Sequence, residues 1–335
     1  MGLFIRKSKL IKIAIIIIAL LIPGFFVRLD YFVIRPSRAL NLSELITVEN
    51  ADSNDIGSFY LVTVNQQRAS PLTFIYAYFH PYMDLNPVER IIPKGMKESE
   101  YRQLLAENMR ESRHLAQVVA LRRVGYEIDI VSDGVEVIGF LEDAPSEAFL
   151  EEGDKIIYVD DNPVFLATEV PVLVQDRPVG AEVSLTIVRS DQVMKIDIPT
   201  GPSPDDAEMP FLGIFIKTLP WEPVVPIEIT MDTGRIGGPS AGLMFVLEIM
   251  NQYLENDLTA GKIIAGTGTI DFKEKVGRIG GVVQKVIAAE RAGAEYFFIP
   301  AGNYEQAKKV ARKIQLVPVE NLEEALQFLA ALEHQ

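Results

Sequence analysis

The sequence predicts an α/β C-terminal domain, preceded by a smaller β-rich module and by one N-terminal helix apolar enough to span a membrane. Three observations carry this. From Val225 onward, strand-like and helix-like segments alternate, the signature of an α/β layer architecture. Between residues 126 and 201, short alternating strands are divided by Asp-Asn-Pro turn chemistry, which makes a small β-rich module. Near the start, Ile13–Val27 is an uninterrupted apolar run; extended back to Leu10, across a Lys12 that can snorkel to the interface, it reaches about 18 residues, close to the bilayer-spanning length. The resulting division is 1–30 (cytoplasmic stub and transmembrane anchor), 31–125 (a strand and a long helix), 126–201 (the β-rich module) and 205–335 (the α/β domain). Gly201-Pro202-Ser203-Pro204-Asp205-Asp206 is the linker.

Composition narrows the function classes. The 335 residues are 48% hydrophobic and 23% charged, so the chain can bury a core and is not globally disordered. It contains no cysteine, which removes disulfides, thiolate nucleophiles and cysteine-ligated metals together. Only His80, His114 and His334 supply imidazole, so no metal or cofactor is expected. A net charge of −14 opposes a nucleic-acid partner, because phosphate binding needs a basic surface.

In the anchor, Arg6, Lys7 and Lys9 precede the apolar run, whereas Arg28, Arg35 and Arg38 after it are mixed with Asp30, Glu44 and Glu49. The positive-inside rule then keeps the N-terminus in the cytoplasm and puts the body outside, as a single-pass protein of the cell membrane. The rivals are a cleaved signal peptide and a buried core helix; Leu21–Phe26 offers no clear small-x-small cleavage site. Further on, Phe59–Val64 reads as a strand, Leu72–Met83 is aromatic-rich with Pro81 and later prolines punctuating its end, and Glu98–Arg123 reads as a long helix. In the module, Val135–Leu141 and Gly180–Arg189 are strands. The C-terminal part reads as strand Val225–Met231, helix Ala241–Leu254, strand Ile263–Ile270, helix Val282–Ala292, strand Tyr296–Ile299, helix Tyr304–Ile314, strand Leu316–Val319 and helix Leu322–Leu332.

Two segments of the C-terminal part carry chemistry. In Gly237-Gly238-Pro239-Ser240-Ala241-Gly242, Ser240 lies near a helix N-terminus, where free N–H groups and the helix dipole favour developing negative charge. An N-capping serine is the plain alternative. A nucleophile needs a base, and the only histidine after Ser240 is His334, beside a terminus that frays. Lysine is the other candidate. In Val276–Ala289, Lys285 shares a helix face with Gly281, Ala288, Ala289 and Ala292. That face is small and uncharged, which suits a desolvated, neutral amine. A lysine snorkelling from the helix edge is the alternative.

These motifs support two resemblances. The run Pro145-Ser146-Glu147-Ala148, Gly153-Asp154-Lys155-Ile156 and Asp161-Asn162-Pro163-Val164 resembles a PDZ domain, which implies binding of extended peptide ends; no Gly-Leu-Gly-Phe-type carboxylate loop precedes the Val135 strand. Gly-Pro-Ser-Ala-Gly, then Gly266-Thr267-Gly268, then Ile279-Gly280-Gly281 and Lys285 resemble the proteolytic domain of the Lon proteases. That resemblance implies Ser240 as nucleophile, Lys285 as base, and Thr267 orienting the amine, with Gly238, Pro239 and Ala241 as supporting residues. The whole layout resembles the membrane-anchored PDZ-containing Lon-like serine proteases of the YlbL type. Unlike true Lon, the sequence has no Gly-x-x-x-x-Gly-Lys-[Ser/Thr] phosphate loop.

The expectation is therefore an ATP-independent serine endopeptidase with a Ser-Lys dyad. It would cleave unfolded or flexible protein segments at the outer face of the membrane, and would form a hexameric ring by analogy. The alternatives are a non-catalytic peptide-binding scaffold and an α/β-hydrolase-type esterase using Ser240, Asp271 and His334.

Overall fold

The computed structural model describes residues 27–49, 51, 56–92, 96–130, 132–141, 144–167, 169–175, 177–202 and 210–333. The apolar run expected to span the membrane falls outside them but for Val27, as does His334. Among the described residues no helix is long and apolar enough to cross a membrane.

The chain runs β1 (Tyr31–Asn41), β2 (Ile46–Val48), β3 (Ser58–Arg68), α1 (Pro71–Phe79), β4 (Asp84–Pro87) and α2 (Glu98–Arg123). It continues with β5 (Val135–Phe140), β6 (Lys155–Val159), β7 (Asn162–Pro163), α3 (Glu169–Gln175), β8 (Glu182–Arg189), β9 (Gln192–Pro199), β10 (Gly201–Pro202), β11 (Pro210–Phe211) and β12 (Ile214–Thr218). The last part is β13 (Ile229–Met231), α4 (Gly242–Tyr253), β14 (Ile263–Gly266), β15 (Thr269–Ile270), β16 (Val276–Gly277), α5 (Val282–Arg291), β17 (Tyr296–Pro300), α6 (Tyr304–Lys308), β18 (Gln315–Val319) and α7 (Leu322–Glu333).

These elements form two compact units: residues up to Glu127 join those from Val225 onward, and Ile128–Val224 stand as the other. From the sequence, 31–125 is expected to stand apart from the C-terminal α/β domain. In the structure they share one six-stranded sheet of order β18-β17-β14-β3-β1-β4. The C-terminal half of that sheet, β18, β17 and β14, is parallel, and β3 pairs parallel with β14. β1 then pairs antiparallel with both β3 and β4. Pairing is non-local: Ile264 sits opposite Phe59, and Gly266 opposite Leu61. A second link is β2 with β13, Ile229 opposite Val48.

Helix α5 packs on the sheet through Val282, Val286, Ala288 and Ala289, against Val62, Ala265, Phe297 and Ile299. Helix α4 is buried along Gly242–Gln252, as expected of a helix covered on all sides. The expected helix Tyr304–Ile314 ends at Lys308. There the amides of Arg312 and Lys313 donate to Glu290 Oε1 at 2.6 and 2.8 Å, which draws the chain out of helical register.

The β-rich unit is one sheet of order β12-β5-β6-β8-β9, with β7 folded back on β6. Its core contains Val135, Val137, Leu150, Ile156, Val183, Leu185 and Ile187, the inward residues of alternating strands. The Gly153-Asp154 pair of the sequence motif has a structural role. Asp154 is almost fully buried and accepts two hydrogen bonds from the Arg189 guanidinium, at 2.7 and 2.6 Å, so its buried charge is paired. The unit continues past the expected boundary at 201 to include β11 and β12. β12 belongs to the sheet because it pairs antiparallel with β5, from Ile214–Phe140 to Thr218–Val135.

Candidate active site

The loop after β13 carries Ser240 into the start of α4. Helix α2 holds this loop from a distance in sequence. Gly238 N donates to Leu105 O at 2.7 Å, and Ser112 Oγ donates to Pro239 O at 3.2 Å. Ala241 is buried behind the serine. Ser240 itself is partly exposed, so its hydroxyl is reachable while its backbone is fixed.

The break between β14 and β15 supplies the next partners. The strand expected from Ile263 to Ile270 is interrupted at Thr267-Gly268. These two residues leave the ladder to hold the serine: Gly268 N and Thr267 Oγ1 both donate to Ser240 O, each at 2.9 Å. Thr267 is fully buried, and its own amide donates to Phe298 O at 3.0 Å.

Helix α5 delivers the amine. It starts after Gly281, which has φ +67°, a left-handed conformation that glycine adopts without penalty. A Cβ there would meet Val64 Cγ1 at 2.9 Å. One turn later, Lys285 is only 4% exposed. Its Nζ lies 2.7 Å from Ser240 Oγ and 2.9 Å from Thr267 Oγ1. Burial lowers the Lys285 pKa from 10.5 to about 7, because the charged form loses its hydration with no carboxylate to replace it.

Hydrogen counting then constrains the amine. The Thr267 hydroxyl has one proton, which it gives to Ser240 O, so it accepts from Lys285. A neutral amine that donates to Thr267 keeps a lone pair for the Ser240 hydroxyl proton. Among the described residues, the amides of Ser240 and Ala241 donate to no protein acceptor. They are free to meet a developing oxyanion beside the N-terminus of α4.

Ser240, Lys285 and Thr267 thus come together, with Gly238, Pro239 and Ala241 in the supporting loop. Asp271 does not join them. Its carboxylate accepts the amides of Lys273 and Lys275 in the β15–β16 turn. Ser240 has no hydrogen bond to His80 or His114. Among the described residues no cluster of His, Asp or Glu could hold a metal. Two supports were missed in the sequence, Ser112 and Gln284. Gln284 Nε2 donates to Asp84 Oδ2 at 2.9 Å and to Tyr82 O at 3.4 Å, tying α5 to the segment after α1. The one signal in the sequence was a polar glutamine directly before the lysine in an otherwise apolar stretch; its full burial is seen only in the structure.

Residues 225–332 match the Lon protease (S16) C-terminal proteolytic domain.

This Lon-like segment carries Ser240, Thr267 and Lys285. The chain is 34% identical over 109 residues to a Lon protease of Roseiflexus castenholzii, covering 31% of this chain and 13% of that protein. It is 33% identical over 98 residues to a Lon protease of Neorickettsia sennetsu, covering 28% and 12%. The chain therefore spans about an eighth of the length of these relatives. Among solved structures it is similar to the PDZ domain of an SdrC-like protein from Listeria monocytogenes, with 25% identity and a TM-score of 0.24, over 26% of this chain and 92% of that one. It is also similar to a solution structure from Geobacillus thermodenitrificans, with 25% identity and a TM-score of 0.23, over 25% and 95%.

Proposed function

We propose that this chain is an ATP-independent serine endopeptidase whose nucleophile is Ser240 and whose general base is Lys285, acting on unfolded or flexible protein segments at the outer face of the cell membrane. The observation that carries this is the contact of a buried, hydrogen-bonded lysine amine with the serine hydroxyl at 2.7 Å. The neutral amine takes the Ser240 proton as Oγ attacks the peptide carbonyl. The oxyanion forms against the free amides of Ser240 and Ala241. The ammonium then returns its proton to the leaving amine, and the neutral lysine activates the water that hydrolyses the acyl-enzyme. Thr267 holds the amine on line by accepting one of its hydrogens. The Lon-like match supports protease chemistry, and the missing phosphate loop supports nucleotide independence. The basic residues ahead of the apolar run support the outward-facing topology.

The β-rich unit offers a means of holding substrate. β12 is an edge strand, paired only with β5 among the described residues. Gly213 precedes it at φ +74°, where a Cβ would strike Ala144 Cβ at 2.7 Å. An open edge suits addition of an extended peptide as a further strand. In this reading the unit presents flexible chain segments to the protease and does not cleave them.

The deciding experiment incubates the purified full chain with an unfolded protein, with and without ATP, beside Ser240→Ala. Cleavage by the parent chain in both conditions and none by the variant is expected. Strict dependence on ATP, or equal cleavage by Ser240→Ala, overturns the reading. Peptide binding without cleavage leaves the scaffold alternative standing.

A further inference from the structure

Helix α1 presents an apolar outer face that the proteolytic chemistry does not use. The Pro71–Phe79 sequence is Pro-Leu-Thr-Phe-Ile-Tyr-Ala-Tyr-Phe, and no Asp, Glu, Lys or Arg lies between Arg68 and Asp84. One side of the helix packs inward: Phe74 and Ala77 join Leu29, Val33, Ala69, Met83 and Leu85. Among the described residues the other side is uncovered. Ile75 is 57% exposed, Tyr76 60%, Tyr78 71% and Phe79 79%. Leu72, Ile75, Tyr76, Phe79, His80 and Pro81 line an open depression of about 390 Å³ beside it. Such a concentration of large exposed apolar groups marks an interaction surface.

The position of α1 in the chain identifies its partner. The apolar run ends at Val27. Two residues later, Leu29 N donates to Ala69 O at 2.8 Å, and Arg28 Nη1 donates to Arg68 O at 3.4 Å. Ala69 is followed by Ser70, the N-cap of α1. The chain leaving the apolar run is therefore stitched to the residues that start α1, so a bilayer holding that run would lie beside this helix. The composition also fits lipid better than a dry protein contact. Tyrosine carries an apolar ring and a polar tip, the combination enriched where a bilayer meets water.

We propose that the outer face of α1 rests in the lipid headgroup layer and forms a second membrane contact beside the anchor. This rests on the anchor reading given under Proposed function. Because its inner side is covered by the protein core, α1 can bury only its exposed apolar side in the interface, just below the headgroups. It would hold this unit against the membrane surface rather than leaving it on a tether.

Because the chain has no cysteine, a single introduced thiol gives a unique label. The full-length variants Phe79→Cys, Tyr78→Cys and Ile16→Cys are each coupled to an environment-sensitive fluorophore. They are reconstituted in vesicles of phosphatidylcholine and phosphatidylglycerol carrying spin-labelled lipids, quenched either near the headgroup or deep in the acyl chains. At residues 78 and 79, a blue shift with several-fold brighter emission and stronger quenching by the shallow label is expected. Quenching at 16 by the deep label with watery emission at 78 and 79 overturns the inference and leaves the anchor standing. Watery emission at all three sites removes both. A blue shift at 78 and 79 that no lipid label quenches, with cross-linking of α1 to α1, overturns the inference in favour of a second copy of the chain.

Discussion

In the proposed dyad, Lys285 can serve Ser240 as a base because burial strips the water from its amine. With its pKa lowered to about 7 by burial, Lys285 becomes a base as the pH rises through that value. Activity is therefore expected to climb through about pH 7 and level off above, in a pH profile of kcat/KM. Lys285→Arg is expected to be as inactive as Lys285→Ala, because guanidinium stays protonated. Substantial cleavage by a folded Lys285→Arg protein would show that another group takes the proton. Stability is linked to the same shift. The unfolded chain binds the lysine proton up to about pH 10.5 and the folded chain only up to about 7, so between these values stability rises with pH. At neutral pH the buried amine is a cost on the order of a few kcal/mol, from the conversion of pKa to free energy. Lys285→Met is thus expected to melt no lower than the parent at pH 7. Its advantage should shrink as thermal melts are taken toward pH 10.

At the scale of elements, the serine depends on a strand that stops being a strand. Thr267-Gly268 leave the ladder between β14 and β15 and place two donors on Ser240 O. Thr267→Val keeps the volume but removes both the donor to Ser240 O and the acceptor for Lys285. A loss of roughly 10- to 100-fold in kcat is expected, the equivalent of about one or two hydrogen bonds. Thr267→Ser should recover most of it, which a purely structural role for the methyl group would not allow. The start of α5 is equally specific. Gly281→Ala forces a side chain into a left-handed residue and against Val64, and should lower stability by about 1–3 kcal/mol in denaturant titrations. Both helices of the site were readable from periodicity: α4 and α5 each begin and end within a residue or two of the expected limits. Strand ends read less well, because they are set by partners elsewhere. The strand expected over Val225–Met231 is ordered as β13 only from Ile229, where β2 pairs with it.

The six-stranded sheet makes the unit formed by residues up to Glu127 and from Val225 onward a single cooperative problem. β3, β1 and β4 come from the N-terminal part, yet complete the sheet that carries β14 and β17. The loop bearing Ser240 is held by α2 through Leu105 and Ser112. A fragment of residues 205–335 is therefore expected not to fold alone, leaving an open β14 edge and an uncovered α4. Circular dichroism melts of that fragment should lack a cooperative transition. Replacing residues 128–224 by a flexible Gly/Ser linker should keep one, since that unit has its own core. A cooperative melt from 205–335 would show that the N-terminal strands are dispensable.

Local chemistry is readable along the chain. Ser240 stands out because glycines flank it before a helix, and Lys285 because Gly281, Ala288, Ala289 and Ala292 on its helix face are small and uncharged. Both properties lie within two turns of the residue, so the sequence displays them, and the resemblance to the Lon proteolytic domain is what joins them as a pair. The PDZ-like motif could be read for the same reason, up to its Gly-Asp pair. What sequence alone could not show were contacts that span most of the chain. Strand pairing between Phe59 and Ile264 leaves no local mark, since each strand is equally apolar with any partner. Nor does Leu105 announce that its carbonyl will hold Gly238. The edge strand β12 was hidden because it follows the rest of its module and pairs back to its first strand. Those choices were settled in the folded protein, where backbone groups far apart in sequence must find partners before they can be buried.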